Sequence, residues 1–357
     1  MTSVADVAGI TREELQLAAR NHGMPVEALR YDVTPPGLHY LLIHYDIPQI
    51  DADAWRLRVG GLVTRPLELS LSDLRQRTAV TRAVTLECAG NGRALLEPRP
   101  LSQPWLLEAV GNAEWTGVPL RDVLEEAGVE PGSAELVFTG LDRGVEGEIE
   151  QAYERSLSID ESMREDVLLA FAMNGQALPP QHGAPLRLVV PGWYGMTSVK
   201  WLSRVTAVGE EFGGYQMATS YRFRSDPDEV GEAVTRIRPR SLMIPPGIPE
   251  FLTRSRVLAA GTHEVRGRAW SGLGAIERVE FSDDGGRTWA DTRLDAPHHD
   301  STAWRGWSIE WDASPGERVL CCRATDSTGA AQPLEPGWNV GGYANNAVQR
   351  VTATVRG

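Results

Sequence analysis

From about Val257 to the C-terminus, short runs alternating apolar and polar residues follow one another: His263 to Trp270, Ile276 to Ser282, Trp304 to Trp311, Arg318 to Asp326 and Ala347 to Val355. A period of two places alternate side chains on one face, so each run reads as a strand. Asp283-Asp284-Gly285-Gly286 and Ser314-Pro315-Gly316 separate them with turn chemistry. Several such strands, with a turn every dozen residues or so, specify a β-sandwich of immunoglobulin-like shape.

Upstream the pattern changes. Between about Tyr40 and Val205, short apolar runs (Leu57 to Leu62, Ala83 to Leu86, Leu136 to Phe138, Leu186 to Val190) mix with helical segments such as Leu120 to Ala127, which predicts an α+β domain. Thr11, acidic residues after it and helical apolar spacing predict a short helix within Ile10 to Asn21. The prolines of Ser241-Leu242-Met243-Ile244-Pro245-Pro246-Gly247-Ile248-Pro249 suit a connection between domains. The expected division is an N-terminal helical extension over 1–35, a larger domain over 36–235 and the sandwich over 236–357.

A chain of 357 residues, 42% hydrophobic and 23% charged, is ordinary for a globular protein of two domains. Its formal net charge of -13 repels polyanions, which argues against nucleic acid as a partner. No stretch approaches the roughly 20 apolar residues that cross a bilayer, so no membrane partner is expected. Met1 to Ile10 lacks a basic region followed by an apolar one. A cytoplasmic enzyme is the simple reading, and a chain whose export signal had been removed would read the same. Cys88, Cys321 and Cys322 are too few for a disulfide framework and lack zinc-ligand spacing.

The sharpest local signal is Thr85-Leu86-Glu87-Cys88-Ala89-Gly90-Asn91-Gly92-Arg93, a strand-like run that delivers a cysteine into a small-residue turn. The bare pattern leaves three readings open: a buried core thiol, a nucleophile, or a soft-metal ligand. Nearby Arg93 favours the thiolate and so the last two.

Leu86-Glu87-Cys88-Ala89-Gly90-Asn91-Gly92-Arg93 resembles the molybdenum-ligand motif of the sulfite oxidase family of molybdopterin-dependent oxidoreductases. The likeness continues in order: Pro104-Trp105; Ala113 to Leu124; Phe138-Thr139-Gly140-Leu141-Asp142; Met173 to Gly192; Val199-Lys200-Trp201-Leu202; Tyr215 to Phe223; and, in the last third, Trp270, Val279 to Trp289 and Trp338 to Asn346. It covers the chain from about Tyr40 to the end. The resemblance implies a molybdopterin-binding catalytic domain followed by an immunoglobulin-like dimerisation domain, hence a homodimer. It implies a molybdenum-molybdopterin cofactor with Cys88 as the one protein ligand to the metal. Cofactor contacts are implied for Tyr40, His44, Asp142, His182, Arg187, Ser198, Val199 and Lys200. An arginine fork, a lysine and an imidazole also suit a phosphate dianion on chemical grounds. Substrate attraction is implied for Arg93, a funnel wall for Trp105 and a hydrogen bond at the reacting centre for Tyr221, whose ring could equally be a packing anchor.

The expected activity is oxygen-atom transfer on a small oxyanion or a sulfur or nitrogen oxide. With no Cys-x-x-Cys-His haem attachment and no spare region for haem or flavin, an external electron acceptor or donor is implied and no haem is expected within the chain. A reductase of the same family acting on a sulfoxide or nitrate, a carrier without turnover, and a Cys88 nucleophile paired with His44 or His182 are the alternatives.

Two departures bear on substrate. The family's arginine-asparagine-histidine triplet falls on Leu42, Ile43 and His44, and a second family arginine falls on Gly341. Each charge-assisted hydrogen bond to an anion contributes about 1.5 to 3 kcal/mol, so sulfite is expected to be a poor substrate. Cys321-Cys322 reads as structural in a strand, and His298-His299 as a solvated loop without a third ligand.

Overall fold

The computed structural model describes residues 9–357, so most of the Met1 to Ile10 stretch lies outside the described residues. Helix α1, Arg12–Arg20, begins at Thr11 as expected. The Thr11 hydroxyl accepts from the Glu14 N–H while the Glu14 carboxylate accepts from the Thr11 N–H, a reciprocal cap for two otherwise unpaired donors.

Ten strands follow before residue 209: β1 Arg56–Gly61, β2 Leu67–Ser70, β3 Val80–Glu87, β4 Val110–Pro119, β5 Glu135–Glu146, β6 Ile149–Ser158, β7 Leu168–Met173, β8 Gln176–Ala177, β9 Arg187–Val189 and β10 Leu202–Val208. One sheet runs β2-β1-β10-β5-β6, with only the β1–β10 pair parallel. The other runs β3-β4-β7-β8, with β9 also beside β7. Helix α2, Leu71–Arg75, is short. Helix α3, Leu120–Ala127, presents Leu120, Val123, Leu124 and Ala127 at helical spacing to a core that includes Leu57 and Val205 of one sheet and Leu169 and Leu188 of the other.

A two-stranded ribbon, β11 Arg222–Phe223 and β12 Glu232–Ala233, leads into the last ten strands. These are β13 Arg240–Ile244, β14 Ile248–Pro249, β15 Arg256–Ala259, β16 Gly261–Trp270, β17 Ile276–Ser282, β18 Ala290–Asp291, β19 Arg293–Leu294, β20 Arg305–Ala313, β21 Gly316–Asp326 and β22 Gln349–Arg356. They form sheets ordered β13-β16-β20-β19 and β14-β15-β22-β21-β17-β18 around one core, to which Val265 and Trp307 contribute from the first and Phe281, Leu320 and Val351 from the second.

Two expectations change. The molecule is mostly β with few helices, not evenly mixed, because apolar runs too short to be told from buried helix by their period all pair as strands. Ser241 to Ile244 is no connection but most of β13, buried and paired with β16; the prolines fall just after it. Cys321 and Cys322 are both fully buried in β21, and Cys322 Sγ lies 3.4 Å from the Ser241 carbonyl oxygen.

Candidate functional site

A cavity opens where the loop 39–44, the end of β3, the β5–β6 pair and the loop before β10 converge. Nine residues singled out from the sequence line it: Tyr40, His44, Cys88, Asp142, His182, Arg187, Ser198, Lys200 and Tyr221. Val199, Arg93 and Trp105 do not.

Each position has a local cause. Cys88 follows directly on β3, and its N–H donates to the Ala109 carbonyl. Asp142 sits in a register shift of the β5–β6 ladder between Thr139 and Arg143, the kind of bulge that re-aims a side chain. His182 ends a short turn, and Arg187 starts β9. Arg187 donates to the carbonyls of His182 at 3.0 Å, Ser198 at 3.1 Å and Leu188 at 3.4 Å, and lies 4.6 Å from the Trp115 ring centroid. Three of its five N–H donors are thus engaged by backbone, leaving two for an anion where an open fork was expected. Ser198 Oγ accepts from the Val190 N–H at 3.1 Å, while the Val199 side chain joins the core between the sheets. The Lys200 ammonium donates to the carbonyls of Leu42 and Gln181 and lies over Trp201.

Tyr221 has φ of 23°, a conformation that costs energy in a residue with a side chain. Its oxygen is 2.6 Å from His44 Nε2, and the His44 ring stacks on Tyr153 at 4.5 Å.

Loss of water contact dominates the electrostatics. Burial pulls His39 down to about 4, His44 to about 3 and His182 to about 2, so all three imidazoles are neutral at pH 7. Burial also lowers Lys200, reinforced by Arg187 and opposed by Asp142, and raises Asp142, opposed by Lys200. The Cys88 thiol is likewise pushed up by burial, with the Arg93 charge acting the other way. The thiolate expected from Arg93 alone is therefore not the resting form; a bound metal cation deprotonates such a thiol by coordination. Among the described residues no histidine hydrogen-bonds Cys88, and no group of three or more His, Cys, Asp or Glu side chains is placed to hold a metal ion.

Arg93 is 5% exposed and held in place. Its Nε donates to the Gly341 carbonyl at 2.8 Å and its guanidinium lies 5.1 Å from the Tyr343 ring centroid. A Cβ on Gly90 would fall 2.7 Å from that guanidinium, so the glycine makes room for it. A Cβ on Gly341 would lie 2.1 Å from Tyr343, which leaves no space for the family's second arginine. Leu42 lines the cavity at the first arginine position.

Three residues at the site went unnoticed in the sequence. His39 lines the cavity with Nε2 unpartnered; Tyr153 lines it too and donates to the Met196 carbonyl at 2.8 Å. Arg155, 1% exposed, lies 5.4 Å from the Tyr221 ring centroid and donates to the Gln216 carbonyl. Tyr153, Arg155 and Leu157 share one buried face of β6, and an arginine on an apolar face was the available signal.

The cavity suits a large anionic cofactor bound through a soft metal. It offers a thiol on one wall, cationic Arg187 and Lys200 on another, and buried atoms with no partner in the protein, His39 Nε2 and Asp142 Oδ1. Comparisons with known proteins agree. Residues 44–216 match a family described as oxidoreductase molybdopterin binding domain, and 233–356 one described as Mo-co oxidoreductase dimerisation domain. The chain is 37% identical to sulfite oxidase of Gallus gallus over 89% of its own length and 72% of that protein. It is 35% identical to mitochondrial sulfite oxidase of Homo sapiens, spanning 61% of it, and 30% identical to nitrate reductase [NADH] 1 of Oryza sativa subsp. japonica, spanning 38%. Among solved structures it resembles the sulfane dehydrogenase SoxCD of Paracoccus pantotrophus, with a TM-score of 0.81 at 27% identity, covering all of this chain and 95% of that one.

Proposed function

The chain belongs to the sulfite oxidase family and is a molybdenum-cofactor-dependent oxidoreductase, and we propose that it acts by oxygen-atom transfer at a molybdenum held by Cys88, exchanging electrons with an external acceptor or donor. The observation that carries this reading is the single thiol on the wall of a cavity whose other walls hold Arg187, Lys200 and His182.

In this reading the bound molybdenum centre supplies the oxygen-atom transfer. Lys200 and the two free donors of Arg187 bind the anionic end of the pterin, with neutral His182 and His39 as further hydrogen-bond partners. Asp142 and Tyr40 orient the ring system. Tyr221 and His44, both neutral, are joined by a hydrogen bond across their 2.6 Å contact, which holds the phenol in place toward the reacting centre. Trp105 walls the thiol from water, and Arg93 supplies positive charge next to it.

The substrate is proposed to be less charged or larger than sulfite. Leu42 brings an aliphatic side chain where an anion would meet a guanidinium, Gly341 brings none, and Arg93 is already committed to a carbonyl. Steady-state kinetics of the cofactor-loaded protein with sulfite, sulfoxides and nitrate test this reading, and a micromolar Michaelis constant for sulfite would contradict it. A reductive direction is the second reading, favoured by the 30% identity to a nitrate reductase. The two packed C-terminal sheets support an immunoglobulin-like unit that pairs two copies of the chain, with domain limits near 36–235 and 236–357.

A further inference from the structure

Strand β3 carries the Cys88 loop and pairs with β4 along one edge only. Its other edge and the loop after it are bonded to the C-terminal unit. Ala83 N–H donates to Asp300 Oδ2 at 2.9 Å and Thr85 N–H to the Thr302 carbonyl at 3.1 Å. Past the cysteine, the Ala344 N–H donates to the Ala89 carbonyl at 2.7 Å and the Asn345 amide to the Gly92 carbonyl at 2.8 Å.

The centre of this seam is Glu87, next to Cys88 and 1% exposed. Arg240 and Trp270 are opposite each other in the β13–β16 ladder, and both reach the same carboxylate. Arg240 Nε lies 2.9 Å from Oε1, in an ion pair whose N–H is not well aimed at the oxygen, and Trp270 Nε1 donates to Oε2 at 2.8 Å. Asn91, on the far side of the loop, donates to Oε1 at 3.0 Å, and its carbonyl accepts from Arg240 at 3.4 Å. A buried ion pair adds little net stability over apolar packing of the same volume, so stability alone does not account for this one.

We infer that Glu87, clamped by Arg240 and Trp270, is a positioning residue for Cys88, so that the C-terminal unit is a structural part of the metal site as well as a surface for subunit association. This rests on Cys88 being the ligand. Trp270→Phe keeps the ring and removes one donor; Glu87→Gln keeps the shape and removes the charge. The first, as the gentler change, carries the test if the second yields no folded protein.

The experiment is iodoacetamide labelling of the full-length, cofactor-free chain, with each cysteine followed by mass spectrometry. Both variants are expected to speed labelling of Cys88 by roughly 10-fold, the change that about 1.4 kcal/mol of lost local stability makes in the opening that exposes a buried thiol. Cys321 and Cys322, free and buried in the same C-terminal unit, keep their rates. Trp289→Phe, which removes a bond to the Gly286 carbonyl elsewhere in that unit, changes none of the three. An unchanged Cys88 rate in a folded variant overturns the inference, and so does equal acceleration at all three thiols, which signals general loosening. The assay needs no metal, so it is decided independently of the ligand assignment, whose failure shows instead as undiminished molybdenum in Cys88→Ser.

Discussion

His39 and His182 stand edge to face, 5.4 Å between ring centroids, and are 2% and 3% exposed. Burial depresses both below the 6.5 of a free imidazole, His39 to about 4 and His182 to about 2. The unfolded chain therefore takes up protons below pH 6.5 that the folded chain refuses. The contribution of these two rings is complete above 6.5 and falls by about 1.4 kcal/mol per pH unit for each until His39 protonates in the fold near pH 4; His44, depressed by burial to about 3, adds a third such loss, and Asp142, raised by burial to about 6, works in the opposite sense below that pH. Urea unfolding of the cofactor-free chain at pH 7, 6 and 5 measures the net fall that three buried neutral imidazoles impose against one buried carboxyl; a stability unchanged from pH 7 to 5 would contradict the burial of the three rings. The two lost arginines make a second residue-scale prediction. Leu42→Arg puts a guanidinium on the cavity wall and is expected to lower the Michaelis constant for sulfite by about 10-fold, the equivalent of about 1.4 kcal/mol. Gly341→Arg meets Tyr343 and is expected to lower the melting temperature without improving sulfite turnover. Both substitutions were visible in the sequence as departures from a motif. That only one position has room for the missing side chain depends on where Tyr343 packs, which no local pattern records.

Among elements, β3 has the most exacting position, because an edge strand buried under another unit must find partners for every outward N–H. Asp300, 13% exposed in its side chain, serves two of these needs, bonding the Ala83 N–H and pairing with Arg82. Asp300→Ala leaves a buried N–H and a guanidinium without partners and is expected to cost about 2 kcal/mol in denaturant unfolding. A loss below a few tenths would mean that water takes over. The run Ala83 to Leu86 was legible as a strand from its apolar residues, and Leu120 to Ala127 as a helix from its pattern. Strand β13 was not legible, since Pro245 and Pro246 masked a segment whose strand character comes from pairing with β16. Asp142 was found through its motif, yet its direction comes from a register shift between β5 and β6 that appears only when both strands are in place.

For the whole molecule, the sequence order of Cys88, Asp142, His182, Arg187 and Lys200 already pointed to one cofactor, and the fold brings all five to one cavity. Arg155 was passed over because an arginine alternating with Tyr153 and Leu157 is only a faint signal, and its burial becomes plain once β6 packs behind Tyr221. The division of labour between the two units was also hidden, since strand patterns report each sheet separately and say nothing of the seam between β3 and the C-terminal strands. The central claim is that one thiol anchors a molybdenum cofactor in this cavity. Its most direct test is molybdenum and pterin analysis of the wild-type chain and of Cys88→Ser, both produced in a host that makes the cofactor. Stoichiometric molybdenum in the wild type, lost in a folded Cys88→Ser, is the predicted result; a wild type without molybdenum, or a Cys88→Ser that keeps it in full, would contradict the account.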